Sequence, residues 1–316
     1  MQLTRHTQSQ EALGGTATIG LIIDESQNPN ELFSNLWKQV FQFERQFSRF
    51  LPSSELSRFN ALSGTKMLIS PEFAAILREA KRLIRKTKGL FNPFILPALQ
   101  RTGYLGSAVA EYVDDEAPDY TSRSVVAPLK LELGVDWARI PFGTAIDLGG
   151  CGKGYLADQL GLYLRNQGVR GYWVELSGDI ATFGTDENRQ HLIISVKNAT
   201  KRGTLAEVIV CPTTPFGIAT SGTFSRVSQV GTLRGHHIID PKTSRPATTD
   251  LKLATVCASS AVAADVLASC AIIVGSRAAP KMLESHTIKS WVLQTASKVS
   301  YNGKYIHNLS SEVTNA

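Results

Sequence analysis

The sequence predicts an α+β fold from its pattern, its composition and its length. Stretches with strand-like composition outnumber helical stretches, and the two kinds do not alternate strictly, as they would in a doubly wound parallel sheet. Apolar residues make up 43% and charged residues 19% of the chain, the balance of a globular protein rather than a disordered one. The 316 residues are sufficient for one large domain or for two lobes that share a core.

The N-terminal part of the chain is predicted to contain a strand followed by two helices. Residues 1–14 are polar and are predicted to form a disordered arm, and the β-prone run 16–23 predicts the first strand. Asn28 and Ser70 each precede a proline and an early acidic residue, a pattern that predicts a helix start at both positions. Between these helices lies a long polar loop at 47–60, and such loops are often functional in compact domains.

The middle of the chain is organised around a glycine cluster formed by Gly149, Gly150, Gly152 and Gly154, with Lys153 among them. A β-prone run at 140–148 precedes the cluster, and a helical pattern begins at Tyr155. This order predicts a phosphate site, because glycines let backbone N–H groups approach an anion and the helix dipole favours negative charge. An ordinary strand-to-helix connection is the alternative.

The rest of the chain is predicted to be rich in strands. An exposed connection is expected at 107–124, and an apolar, proline-rich loop at 89–104 must pack against a core edge or a flat ligand. The predicted strands are 129–133, 137–140, 171–176, 191–196, 205–210, 254–258 and 291–294. One helix is predicted at 261–274, a hairpin around Asn302-Gly303, and a polar tail at 307–316.

The helix at 261–274 is almost wholly apolar, and its polar exceptions are Asp265 and Ser269. Residues four apart share a helix face, so these side chains point the same way. A buried carboxylate costs free energy unless it is paired or ligating. The pattern therefore fits a carboxylate held by lysine or backbone donors, and equally a Mg²⁺ site, since Mg²⁺ combines carboxylates and neutral oxygens with substrate phosphates.

A second concentration of reactive side chains lies at 217–246. Thr220 and Ser221 are followed there by the adjacent histidines His236 and His237. An imidazole titrates near neutral pH, so a histidine in this segment is a candidate general base, although a surface histidine pair is also common.

A competing motif is present in the glycine cluster itself. Residues 152–157 fit G-x-G-x-x-A, and Glu175 lies near the offset expected for a ribose-binding acid. This motif predicts an NAD-dependent oxidoreductase as an alternative. It leaves Asp265 and the segment HHIIDP unexplained, and no further βαβ units accompany it.

Composition also disfavours several partners and locations. The net charge of +6 suits an anionic ligand, but the basic residues have no interleaved aromatics and no known nucleic-acid motif, so no nucleic acid is expected. The four cysteines form no CxxC pair, which disfavours zinc. No export signal and no apolar run of about 18 residues is found, so we expect a cytoplasmic protein without membrane insertion.

Seven segments taken together resemble the ApbE family of FAD:protein FMN transferases. In chain order they are FSRFLPSSELSRFN, GLFNPFILPAL, DLGGCGKGY, LSGDI, IATSGTFSR, HHIIDP and AADVLAS. The resemblance implies a single domain at 15–306 with an α+β, T-fold-related arrangement of two lobes and an FAD cleft between them. It also implies a Mg²⁺-dependent transferase that moves FMN from FAD to a Thr or Ser hydroxyl of an acceptor protein and releases AMP.

The resemblance assigns roles to individual residues. Asp147, Lys153, Thr220, Ser221 and His237 match positions that contact or lie close to FAD, and His237 is the candidate base.

A second set of matches implies the metal site. It combines the backbone carbonyl of Gly150 with the side chains of Asp265 and Ser269, and Asp265 is also expected to be catalytic. Ser269 stands where the family usually has threonine, and Asn92 where it usually has aspartate. A Mg²⁺-dependent FAD pyrophosphatase or a flavin-binding module is the alternative that uses the same site.

Overall fold

The computed structural model describes residues 2–104, 119–126, 130–224, 227–230, 233–286, 288, 290–308 and 313–315. The chain forms two compact units. The first unit comprises residues 1–41, 153–222 and 249–316, and the second comprises 42–152 and 223–248. Helices and sheets are mixed along the chain, which confirms the predicted α+β class.

The helices and strands are numbered in chain order. The helices are α1 (Pro29–Phe47), α2 (Glu55–Ala61), α3 (Pro71–Lys86), α4 (Leu96–Arg101), α5 (Gly152–Asn166) and α6 (Ala261–Glu284). The strands are β1 (Leu3–Ala12), β2 (Gly15–Asp24), β3 (Met67–Leu68), β4 (Glu132–Leu133), β5 (Trp137–Arg139), β6 (Gly171–Leu176), β7 (Asp179–Phe183), β8 (Ile193–Lys197), β9 (Thr204–Ile209), β10 (Phe216–Gly222), β11 (Val227–Val230), β12 (Leu233–His236), β13 (Ile239–Asp240), β14 (Arg245–Pro246), β15 (Leu251–Ala258), β16 (Ser290–Thr295), β17 (Val299–Asn302), β18 (Ile306–Asn308) and β19 (Val313–Asn315).

The first unit is built on a nine-stranded sheet with the order β1-β2-β6-β7-β10-β15-β16-β17-β19. Its pairings are antiparallel except for that of β17 with β19. Helix α6 packs on β10 and β15, and small side chains such as Ala219 and Ala264 lie in that contact. Ile218 faces the opposite way, into an apolar cluster shared with Val208 of β9. Helix α6 therefore covers one face of the sheet, and the small sheet β18-β9-β8 covers the other.

The second unit contains α2, α3 and α4 with three small sheets, β3-β5-β4, β11-β12 and β13-β14. Ser70 caps α3, because its Oγ accepts a hydrogen bond from the backbone N of Phe73 at 3.1 Å. The buried Glu55 of α2 accepts hydrogen bonds from both the backbone N and the Oγ of Ser70, each at 2.7 Å. The predicted helix starts after Asn28 and Ser70 are confirmed.

The expected disorder of residues 1–14 is wrong. Strand β1 pairs along its whole length with β2, from Leu3 opposite Asp24 to Ala12 opposite Gly15. An antiparallel strand at a sheet edge can leave one face in water, so a polar sequence is compatible with it. The polar loop predicted at 47–60 likewise contains a helix, α2.

The C-terminal predictions differ from the structure in strand pairing. A turn is present at Gly303, whose φ is 97°, but the strands on either side do not form the predicted hairpin. Strand β17 pairs with β16, and β18 pairs with β9 in another sheet. Residues 313–315 of the predicted polar tail form β19. The predicted connection at 107–124 lies largely outside the described residues.

Helix α6 is long and apolar enough to cross a membrane by length and composition alone. However, 61% of its most apolar window is buried inside the protein. The backbone leaves helical geometry at Gly275, where φ is 78°, at the predicted end of this helix. Helices in the core of globular proteins can have the same length and composition, so these two properties do not indicate that α6 crosses a membrane.

Candidate functional site

The glycine cluster is entered from a loop. Strand β5 ends at Arg139 and no strand occurs between it and α5, so the strand predicted at 140–148 is wrong. The carbonyl of Leu148 accepts hydrogen bonds from the backbone N of Cys151 at 3.0 Å and of Gly152 at 2.7 Å, which closes a turn before α5. Gly150 lies in this turn within the second unit, and a Cβ there would make only ordinary contact with Phe91, at 3.6 Å.

Helices α5 and α6 of the first unit come into close contact at Gly154. A Cβ at this position would lie 2.7 Å from Cα of Val262 and 2.8 Å from the carbonyl oxygen of Ala261, so the contact requires glycine. The carboxylate of Asp158 accepts hydrogen bonds from the backbone N of Ala261 at 2.8 Å and of Val262 at 3.0 Å. Part of the glycine pattern is therefore explained by helix packing, and Asp158 is a residue that sequence reasoning missed.

Lys153 forms an ion pair with Asp179 in the first unit. The two side chains are 14% and 6% exposed, so Lys153 is not the solvated turn residue of an ordinary strand-to-helix connection. Asp179 begins β7 directly after the turn at Ser177 and Gly178, whose φ angles are 54° and 96°. Burial raises the pKa of the neighbouring Glu175, while Lys197 lowers it and Asp179 raises it. The segment LSGDI, one of the seven that carry the resemblance, was the signal that could have identified Asp179.

Ser269 and Ser221 bring their hydroxyl oxygens together where α6 packs on β10, and Asp265 lies on the same face of α6 as Ser269. Asp265 is 5% exposed, and Ser269 follows it by one helical turn on the same face. The Oγ of Ser269 lies 2.9 Å from the Oγ of Ser221. Burial raises the pKa of the Cys270 thiol to about 12, and the Asp265 carboxylate adds to that rise.

Thr220 is directed away from this cluster, because successive residues of a strand point to opposite faces. Its Oγ1 lies 2.9 Å from the Oγ1 of Thr255, its partner on β15. Ser221 shares the α6 side of the sheet with Ala219. Of the two hydroxyls predicted to lie near phosphate, the structure thus brings only that of Ser221 to Ser269.

The donor chemistry of this cluster fits Mg²⁺. Its atoms are one carboxylate and two hydroxyl oxygens, and Mg²⁺ is a hard cation that uses one or two carboxylates together with substrate phosphates. No group of three or more His, Cys, Asp or Glu side chains with metal-binding geometry occurs within the described parts of the chain. The cluster therefore suits a cation that is bound jointly by protein and substrate, rather than one caged by protein alone.

Asp147 occupies a firmly anchored segment of the second unit. The buried side chain of Asn60 donates from Nδ2 to the carbonyl of Ile146 at 2.9 Å and accepts from the backbone N of Ile146 at 2.8 Å. The backbone N of Asp147 donates to the carbonyl of Pro93 at 2.8 Å. A Cβ at residue 149 would lie 2.9 Å from Oδ2 of Asp147, so Gly149 leaves room for that carboxylate. Asn60, from the polar loop, is a further residue that sequence reasoning missed.

The adjacent histidines of the second unit have different surroundings. The Nδ1 of His236 accepts a hydrogen bond from the backbone N of Ile238 at 3.3 Å, so its Nε2 carries the proton that is donated to the carbonyl of Ala247 at 3.1 Å. His237 instead lies beside Tyr104, with 6.1 Å between ring centroids. His236 is therefore held by backbone, and His237 is the better candidate for chemistry.

The topology contradicts the dinucleotide-binding interpretation. A βαβ unit needs parallel strands joined through a helix. Here β6, which follows α5, is antiparallel to both of its neighbours, β2 and β7. Because the strand before the turn is also absent, G-x-G-x-x-A is a chance match in this chain.

Comparisons with known proteins agree on one family. The ApbE family model matches residues 13–292. A Vibrio cholerae protein named FAD:protein FMN transferase is 28% identical over 246 residues, which cover 77% of this chain and 73% of the relative. A Haemophilus influenzae protein of the same name is 26% identical over 281 residues, covering 87% and 80%.

Solved structures with a similar fold include the flavin transferase ApbE from Vibrio cholerae, with a TM-score of 0.78 and 24% identity over 95% of this chain and 97% of that one. The ApbE protein from Thermotoga maritima has a TM-score of 0.79 and 20% identity over 96% and 97%. At these identities the similarity shows the fold, which agrees with the predicted ApbE-like α+β fold.

Proposed function

Because the chain belongs to the ApbE family, we propose that it is an FAD:protein FMN transferase, which moves the FMN moiety of FAD to an acceptor protein. The observation that carries this proposal is the extent of the family match, since residues 13–292 include segments of both compact units. Every residue to which the sequence assigned a role lies inside that range.

The reaction we propose forms one phosphoester bond and breaks one pyrophosphate bond. A threonine or serine hydroxyl of the acceptor attacks the FMN-side phosphorus of FAD, and AMP leaves with the bridging oxygen. The hydroxyl must lose its proton as the new bond forms, and His237 is the candidate that accepts it. The surroundings of His236 support this choice, since backbone groups occupy both of its ring nitrogens.

Charge on the phosphates has to be neutralised during this transfer. Bound Mg²⁺ would supply that neutralisation, and Asp265, Ser269 and Ser221 would hold it in the first unit. Lys153 is a second cation, and Asp179 holds its ammonium group at the start of α5. Asp147, with its anchored backbone, is proposed to contact FAD in the second unit.

The test uses purified protein, FAD and a desalted bacterial lysate as the source of acceptors, with Mg²⁺ or with EDTA. We expect AMP release together with flavin fluorescence that survives denaturing electrophoresis, and both should disappear with EDTA. Asp265→Asn protein is the control for contaminating activity. AMP release without covalent fluorescence would instead indicate an FAD pyrophosphatase, and FAD binding without AMP would indicate a flavin-binding module.

A further inference from the structure

Arg49 is a buried cation in the second unit to which the proposed chemistry gives no role. It belongs to the polar loop after α1, and only 5% of the residue is exposed. Arginine is rarely buried unless its charge and N–H groups are compensated. The contacts of Arg49 therefore need an explanation.

The guanidinium of Arg49 joins three neighbours. Its Nη2 donates a hydrogen bond to the backbone carbonyl of Tyr104 at 2.9 Å, and its Nε lies 3.8 Å from Oδ1 of Asp147. Its Cζ lies 4.2 Å from the ring centroid of Phe50 and 5.0 Å from that of Tyr104, distances at which cations interact with aromatic rings. We call Arg49, Phe50, Tyr104 and Asp147 the Arg49 cluster.

The compensation of this buried charge is incomplete. Nη1 of Arg49 is closed off from water and makes no hydrogen bond with any part of the chain that the structure describes. The distance to Asp147 is longer than a hydrogen bond. Burial lowers the pKa of the Arg49 guanidinium, against the opposing effect of Asp147. A buried donor left in this state does not optimise stability, and such groups are retained where function needs them.

The position of the cluster indicates what that function is. Asp147 is a residue proposed to contact FAD, and the ring of Tyr104 lies 6.1 Å from that of the candidate base His237. Arg49 contacts Asp147 directly and reaches His237 through Tyr104. We propose that Arg49 is a positioning residue of the flavin site, which fixes the Asp147 carboxylate and the Tyr104 backbone relative to each other. This inference rests on the proposed function.

The experiment compares Arg49→Lys and Arg49→Met with wild type. Lysine keeps the charge but not the planar fork, and methionine keeps only the length of the side chain. We expect both variants to weaken FAD binding roughly tenfold, as for the loss of a charged contact, and to shift the visible absorption band of bound FAD. Their melting temperatures should stay close to that of wild type.

Arg139→Lys is the matched control, because Arg139 pairs with Glu132 at 2.7 Å in the same unit but on the surface. It should change neither affinity nor spectrum. Wild-type affinity for FAD in Arg49→Met would overturn the inference. A loss of FAD affinity that merely follows a loss of melting temperature, with an unchanged flavin spectrum, would overturn it too. Wild-type protein that binds no FAD would refute the proposed function, and the inference with it.

Discussion

At the scale of single residues, the candidate chemistry depends on charges that the fold keeps out of water. Asp265, Asp179 and Arg49 are each more than nine-tenths buried. Each has a polar or charged neighbour, but each would cost free energy in a protein selected for stability alone. Variants at these positions therefore separate function from packing.

Asp265→Asn is expected to lower the turnover of FAD by roughly a hundredfold or more, the scale observed when one charge-stabilising group is removed from an active site. Its melting temperature should stay near the wild-type value, because asparagine has the same shape. The control is Asp250→Asn, which weakens bonds from the backbone N and Oγ of Ser276 beyond the break in α6. That variant should lower the melting temperature and leave turnover intact. A lower melting temperature with unchanged turnover in the Asp265→Asn variant would show that Asp265 has a structural role.

Lys153→Met is expected to destabilise the protein by about 3–5 kcal/mol, because it leaves the buried Asp179 carboxylate without its cation. The double variant with Asp179→Asn removes both charges and should recover most of that stability. Turnover should remain low in both proteins if Lys153 also acts on the pyrophosphate. Chemical denaturation and AMP assays on the three proteins measure the two effects separately. Recovery of turnover in the double variant would limit Lys153 to a structural role.

At the scale of elements, the contact between α5 and α6 fixes the position of the first turn of α5, and with it the position of Lys153. The backbones approach closely at Gly154, and Asp158 caps the N-terminus of α6. This pairing explains why the glycine pattern matches the G-x-G-x-x-A motif although no βαβ unit surrounds it in the described part of the chain.

Gly154→Ala should cost about 1–3 kcal/mol of unfolding free energy, since the new methyl group would lie 2.7 Å from Cα of Val262. Gly152→Ala is the control, because its methyl group would meet Phe43 at an ordinary 3.5 Å. Urea denaturation of both variants gives the comparison. Equal stability of the two would show that the helices do not depend on the glycine.

Element starts and the general class could be predicted from local pattern. Proline and acidic residues after Asn28 and Ser70 marked α1 and α3, and the apolar run from Ala261 marked α6. Strand partners could not be predicted, because alternation specifies a face and not a neighbour. For that reason β18 was paired with the wrong strand, whereas β1 was missed because its polar sequence gave no strand signal.

The site was predicted less completely than the fold. The face shared by Asp265 and Ser269 follows from helical periodicity alone. Ser221 and Thr220 differ by one residue, and only the pairing of β10 shows which hydroxyl reaches α6. Asn60 bonds to a residue 86 positions away in sequence, and Asp179 pairs with one 26 positions away. Local sequence patterns do not predict such long-range contacts.

At the scale of the whole molecule, the family match and the net charge of +6 agree with an anionic nucleotide as substrate. A ligand that binds only the folded state raises stability by about 2.7 kcal/mol at a hundred times its Kd. Saturating FAD should therefore raise the melting temperature by about 5 °C, and NAD at the same concentration should not. A shift with NAD alone would contradict the assignment.

The measurement that tests the central claim most directly is the ratio of AMP released to FMN bound covalently, taken during a reaction with one purified acceptor. Intact mass spectrometry of the acceptor gives the bound FMN, and chromatography of the supernatant gives the AMP. FMN transfer predicts equal amounts at every time point, with neither product formed by Asp265→Asn protein. AMP that accumulates while the acceptor keeps its original mass would contradict it.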